Sequence, residues 1–250
     1  MRECFLNGYG PCGGGISAEH YISRTVLEAG SADGTARIGG LPWQPANTLQ
    51  SFGIGALVSN ILCANHNSRL SPLDTVGGEL IRVLNAIDKQ PQSLPAVTKF
   101  DGLLVERWLL KVICGMSAGV RWNNGTVPDS WKTLLVGGPW PTSWGLYVPI
   151  PTGSQVLVNE FSVESKVHPR TRAVLTAAFR VAGVHFSLLL AVPDNPAAWG
   201  HYRPRGVIFE TAVGERAVEL IWPDASEVAV IYSRIGSTAA RPPQWAPWNE

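Results

Sequence analysis

Four side chains with metal affinity fall into two pairs, Cys4 with Cys12 and Cys63 with His66. The second pair has C-x-x-H spacing, which lets both ligands on one tight turn reach the same ion. Structural zinc takes four Cys or His ligands in a tetrahedron, usually as two sequence pairs with a loop between them. The expectation is a structural Zn²⁺ on Cys4, Cys12, Cys63 and His66, pinning the ends of a loop-rich segment together. The competing reading is ordinary reduced thiols and a histidine at a helix start. Cys114 lies in the apolar run "WLLKVICGM" and reads as a buried, inert thiol.

Between the two pairs sits "ISAEHYIS". Taken alone, Glu19-His20 reads as a helix start, with Ser17 as N-cap and Glu19 favouring the helix dipole. Taken with "CANHN", the order becomes Cys, Cys, Glu-His, Cys, His-Asn. Over about residues 1 to 75 this resembles the HNH (His-Me finger) endonuclease family, in which zinc knuckles flank an acidic-His pair and a final Asn or His. The first knuckle departs from the family as C-x7-C. The second uses His66 where a Cys is usual, which leaves His66 as an alternative ligand of the catalytic ion.

The resemblance implies hydrolysis of a DNA phosphodiester. Neutral imidazole suits a general base at physiological pH, and His20 would fill that role. A divalent cation, Mg²⁺ or Mn²⁺, would neutralise phosphate charge. Glu19 and Asn67 would hold it through oxygen donors, separately from the softer zinc site. For the family's base-orienting asparagine, Asn47 is favoured and Asn60 is the alternative. Arg69 matches the basic residue that follows the final Asn and would contact phosphate. Asp74 reads as a helix N-terminal acid. The other hypothesis is a non-catalytic, zinc-stabilised module that binds nucleic acid or protein, with the same ligands serving only as a staple.

These residues must be positioned by a chain whose first 60 residues are rich in Gly, Ser and Asn. Leu73, Val76, Leu80, Val83, Leu84 and Ile87 paint one helix face. "DKQPQSLPAV" ends that helix, and a second is predicted over 100–116. Arg107 and Lys111 on it read as a solvated face or a phosphate-facing stripe. Trp108, Trp122, Trp131, Trp140 and Trp144 suit packing at the join between halves. Beyond residue 145 the period becomes two. Residues 174–181 and 184–192 form a hairpin about Ala182-Gly183, and "GVIFE", "AVELIW" and "VAVIY" give further strands. "HYRPRG" reads as a loop that presents Arg203 and Arg205, either to phosphate or merely to solvent.

The predicted fold is α+β: a zinc-stapled ββα-metal (HNH-like) domain over 1–92, a helical, Trp-rich connector over 93–144, and an antiparallel β domain over 145–250. A net charge of +1 advertises no bulk field for nucleic acid, so DNA affinity would rest on a local patch. No apolar run reaches bilayer-spanning length and no secretory signal opens the chain. Four cysteines are too few for a disulfide scaffold, which suits a reduced, cytoplasmic setting. Cleavage of both DNA strands would call for a homodimer, and the β half could instead bind a protein partner.

Overall fold

The computed structural model describes residues 3–29, 31, 34–41, 44–45, 48–120, 125–149, 161–171, 173–191, 193–223 and 228–233. Strand β1 (Ile16–His20) is followed by the short helix α1 (Arg24–Ala29) and by strands β2 (Thr35–Gly39) and β3 (Leu49–Gly53). Strand β4 (Val58–Cys63) then returns antiparallel to β1, pairing Glu19 with Ser59 and His20 with Val58. Helix α2 (Ala64–Lys89) begins directly after it. It starts well before the apolar stripe, because its first turns carry Asn65, His66, Asn67 and Ser68 and a proline, Pro72. None of these residues signals a helix by propensity or period.

Strand β5 (Val97–Asp101) leads into α3 (Gly102–Val120), whose first free N–H groups, on Leu103 and Leu104, are capped by the Asp101 carboxylate at 2.8 and 3.2 Å. Val105, Trp108, Leu109, Leu110, Val112, Ile113 and Met116 are all fully buried, so α3 is a core helix and not an amphipathic one. Glycines let it lie close to its neighbours. A Cβ on Gly115 would stand 2.8 Å from the Tyr21 Cβ, and one on Gly119 would stand 3.2 Å from the Ser59 Cβ. Helix α4 (Asp129–Leu135) packs against α3 through Trp131, Leu134 and Leu135.

The remaining strands are β6 (Gly145–Pro149), β7 (Phe161–Val167), β8 (Val174–Val181), β9 (Val184–Leu189), β10 (His201–Thr211), β11 (Gly214–Ile221) and β12 (Val228–Ser233). The hairpin between β8 and β9 forms at the predicted place. Ala182 (φ 49°) and Gly183 (φ 87°) make the left-handed turn that matches strand twist. The sheet runs in the order β3-β2-β7-β8-β9-β6-β10-β11-β5, with β12 on β10. It is mixed where an antiparallel sheet was expected: β2 pairs parallel with β7, β5 with β11 and β12 with β10. It also draws β2, β3 and β5 from the first hundred residues, and one continuous apolar core underlies both parts of the chain. No helix among the described residues is long and apolar enough to cross a membrane.

"HYRPRG" is the start of β10 and not a loop. Arg203 is committed there. Its guanidinium donates to Glu106 Oε2 at 2.9 Å and to the Trp144 carbonyl at 3.1 Å, and it stacks on Trp222 at 4.7 Å. A cation so engaged is not available to phosphate, which corrects the expectation for that residue. Arg205 is exposed on the same strand. The pairing ties α3 to the sheet, since Glu106 Oε2 also accepts from the Leu146 N–H at 2.6 Å. Burial leads the shift of Glu106, which sits at about 7 despite the Arg203 charge that opposes it.

Candidate metal centre and the acidic-histidine cluster

Cys63 ends β4 and His66 lies in the first turn of α2, so the strand-to-helix junction presents both to one point. Residues 3–15 fold back over that junction. The Phe5 N–H donates to the Ile61 carbonyl at 3.0 Å, while the Asn65 and Ala64 N–H groups donate to the Gly13 and Gly15 carbonyls at 3.2 and 2.9 Å. These bonds occupy amides at the helix start that would otherwise lack partners. Glycine is needed at position 14, where φ is +75° and a Cβ would press to 2.7 Å of the Ala64 Cβ.

This packing brings all four predicted ligands together. The donor atoms of Cys4, Cys12, Cys63 and His66 lie within 4.8 Å of one another. His66 Nδ1 stands 3.3 Å from Cys4 Sγ, 3.5 Å from Cys12 Sγ and 3.3 Å from Cys63 Sγ. Three sulfurs converging on one nitrogen cannot all be served by a single proton or lone pair. The separations approach the ~3.6 Å edge of a tetrahedron built from Zn–S and Zn–N bonds. Burial pushes the Cys63 thiol up, but backbone N–H groups of His66 and Gly13, with His66 and Cys4 side chains, outweigh it and bring it to about 6. Desolvation and the neighbouring sulfurs of Cys63 and Cys4 push Cys12 up to about 11. A thiolate-prone Cys63 beside a Cys12 thiol that resists ionisation is a donor set suited to a cation that supplies positive charge. The cluster can hold a metal such as zinc, as its spacing predicted. Cys114 is fully buried with its thiol pushed up by burial, as expected of an inert thiol.

Glu19 and His20 lie at the end of β1, not at a helix start. Glu19 is buried and faces α2 and α3, where two groups meet it. The Asn67 side chain hydrogen-bonds its carboxylate, with Asn67 Nδ2 also donating to Ser17 Oγ at 3.2 Å. Lys111 Nζ, from α3, approaches Glu19 Oε1 to 2.5 Å. The same ammonium reaches both oxygens of Asp74 at 2.6 Å. Asp74 in turn accepts from Ser23 Oγ at 2.5 Å, and Ser23 Oγ accepts from Trp108 Nε1 at 3.1 Å. Burial raises the Glu19 carboxyl above its ordinary range, and Lys111 works against that shift.

His20 is half-buried, and its Nε2 lies 3.1 Å from the Ile54 carbonyl. A carbonyl can only accept, so Nε2 carries the proton and the neutral ring keeps its lone pair on Nδ1. Burial first, then the positive charges of Arg24 and Lys111, hold the His20 pKa below its ordinary value, although the Ile54 bond opposes them. The ring is therefore neutral at physiological pH.

Not every predicted site residue joins this group. Asn47 lies outside the described residues. Asn60 is exposed on β4 opposite Ala18, and the ring of His20 is oriented by the Ile54 main chain. Arg69 is exposed one turn beyond His66, at a cleft of about 210 Å³ whose lining includes Leu6, His66, Leu70 and Arg107. Two groups were misjudged from sequence. Asp74 lies ten residues into α2 and is no helix-start acid, and Lys111 is 4 % exposed and no solvated cation. Arg107 donates to the Leu134 and Gly138 carbonyls, so it forms no phosphate stripe with Lys111. The available signal was the lone Lys at the centre of "WLLKVICGM", where every neighbour is apolar. Comparison with family models, curated proteins and solved structures finds no match for this chain.

Proposed function

We propose that the chain is a phosphodiester hydrolase of the HNH type, with DNA as substrate and His20 as general base. One observation carries the reading. His20 has a defined tautomer and a depressed pKa, and it follows Glu19 on β1, whose partner strand β4 ends at a Cys₃His cluster. His20 Nδ1 takes a proton from water, the resulting hydroxide attacks phosphorus, and the P–O bond opposite breaks. The leaving oxygen takes a proton from solvent. Arg69, exposed on α2, is the local cation suited to an incoming phosphate.

The resemblance also calls for Mg²⁺ or Mn²⁺ on Glu19 and Asn67. The residues as placed do not fit a hard dication. Asn67 turns its NH₂ toward Ser17, and Glu19 is already engaged by an ammonium at 2.5 Å. No step is routed through that ion. The same saturation of Glu19 favours the second reading, a non-catalytic zinc module in which the cluster only packs.

Supercoiled plasmid incubated with zinc-loaded protein, wild type beside His20→Ala, separates the two. Loss of a general base lowers turnover by about 10²–10⁴-fold, so the folded variant should leave plasmid intact where wild type nicks it. Equal cutting by both removes His20 from the mechanism. Two proteins that stay inert with and without added Mg²⁺, at matched zinc content, favour the module.

A further inference from the structure

We infer that Lys111 takes the place of the divalent cation, so that the Glu19 site works, if it hydrolyses phosphodiesters as proposed above, without Mg²⁺ or Mn²⁺. The ammonium has three N–H donors, and three carboxylate oxygens lie on it: Glu19 Oε1 at 2.5 Å and both Asp74 oxygens at 2.6 Å. Each donor is therefore used. A dication coordinating Glu19 would need its oxygen at about 2.0–2.1 Å, which would force it against the ammonium. Two cations in one buried spot repel, and expelling Lys111 would strip Asp74 of its counter-charge.

The lysine is held there from several sides. Ser23 Oγ and Trp108 Nε1 form a relay onto Asp74, and Thr25 Oγ1 donates to the Asp74 carbonyl at 2.7 Å. Along α3, Lys111, Gly115 and Gly119 follow at four-residue steps on one face. The two glycines set that face directly on Tyr21 and Ser59, which brings the lysine up to the end of β1. Two carboxyl groups and one amine give the cluster a formal charge of one negative, against two for the bare carboxylates. The positive charge that a metal would bring is thus supplied by the chain. Lys111 is a positioning residue for Glu19 and the source of the positive field next to His20, whose pKa it helps depress.

The test is a Mn²⁺ titration of zinc-loaded protein followed by electron paramagnetic resonance of the free ion. Mn²⁺ is the weakest competitor for the Cys₃His donors and leaves zinc in place. Wild type and Glu19→Gln should give the same free-ion signal through millimolar Mn²⁺. Lys111→Ala should remove one equivalent of free signal per chain, and the double variant Lys111→Ala/Glu19→Gln should lose that site again. One Mn²⁺ bound by wild type and lost in Glu19→Gln overturns the inference, as does a folded Lys111→Ala that gains none. If Lys111→Ala does not fold, the comparison of wild type with Glu19→Gln still decides, because Glu19→Gln keeps the Lys111–Asp74 pair. Plasmid nicking that requires added Mg²⁺ also overturns it, yet leaves the His20 reading standing.

Discussion

Stripping the metal that the Cys₃His cluster can hold should detach residues 3–15 and loosen the β1–β4 pair, while leaving α3 and the ten-stranded sheet intact. Backbone ordering costs at least ~1 kcal/mol per residue, or ~13 kcal/mol for this segment. Against that stand three backbone hydrogen bonds to β4 and α2, at about 1 kcal/mol each. The fully buried Leu6 adds about 2–3 kcal/mol. The deficit is roughly 7 kcal/mol, and a structural zinc contributing on the order of 10 kcal/mol reverses it. Cys63→Ser, or chelation of wild type, should therefore lower zinc from one equivalent to none. The amides of Phe5, Ala64 and Asn65 should lose hydrogen-exchange protection, and chymotrypsin should cut at Tyr9. Amides of α3 should stay protected, since α3 also packs on α2, α4, β4, β5 and β9. Cys114→Ala should keep full zinc. A metal-free protein that still protects Phe5 and resists cleavage at Tyr9 refutes the reasoning, because the segment would then be held by something other than the Cys₃His cluster.

Two further outcomes follow from buried contacts on α3. Glu106 has a folded pKa of about 7 against an ordinary 4.5, so the folded state holds its proton more tightly between those values. Its contribution to stability is fully present below about pH 4.5 and is lost as pH rises through 7, a span worth roughly 3 kcal/mol. Glu106→Gln should flatten the fall in urea-unfolding free energy between pH 5 and 8, and an unchanged slope would mean that other groups set it. Gly77→Ala would drive a methyl into the Trp108 indole, which also anchors the Ser23–Asp74 relay. Overpacking of about 1–3 kcal/mol should exceed the ~1 kcal/mol gain in helix propensity and lower the melting temperature by several degrees. A rise in melting temperature would show that α2 and α3 can part without loss.

How much of this was legible depended on whether a residue advertises its role by type. Cys4, Cys12, Cys63 and His66 did, because few environments want three thiols and an imidazole near glycine-rich turns. The β8–β9 hairpin did, since Ala182-Gly183 interrupts two alternating runs. Ile54 could not, because it orients His20 through a main-chain carbonyl that every residue type possesses. Asp74 and Lys111 were misread because each is a commonplace surface residue until a third segment, β1, brings a carboxylate to them. The parallel pairings of β2 with β7 and β5 with β11 join segments over a hundred residues apart, and local periodicity carries no information about them.

The candidate site sits on the smaller of the two sheets among the described residues. β1 and β4 form a two-stranded pair of five or six residues each, separate from the ten-stranded sheet. Such a pair is marginal in water unless something packs against it. One end is fixed by the Cys63–His66 junction and the Cys₃His cluster, which can hold a metal. The other is fixed where Lys111 ties Glu19 to α2 and α3, and where His20 bonds Ile54. Both ends are polar attachments, one made by the candidate metal ligands and the other by residues of the proposed site. Strand, staple and site therefore stand or fall together. Chelation should abolish any His20-dependent activity by releasing β4 from the N-terminal loop, even though no zinc ligand touches the reacting atoms. Activity that survived complete zinc loss would place the reaction elsewhere in the chain.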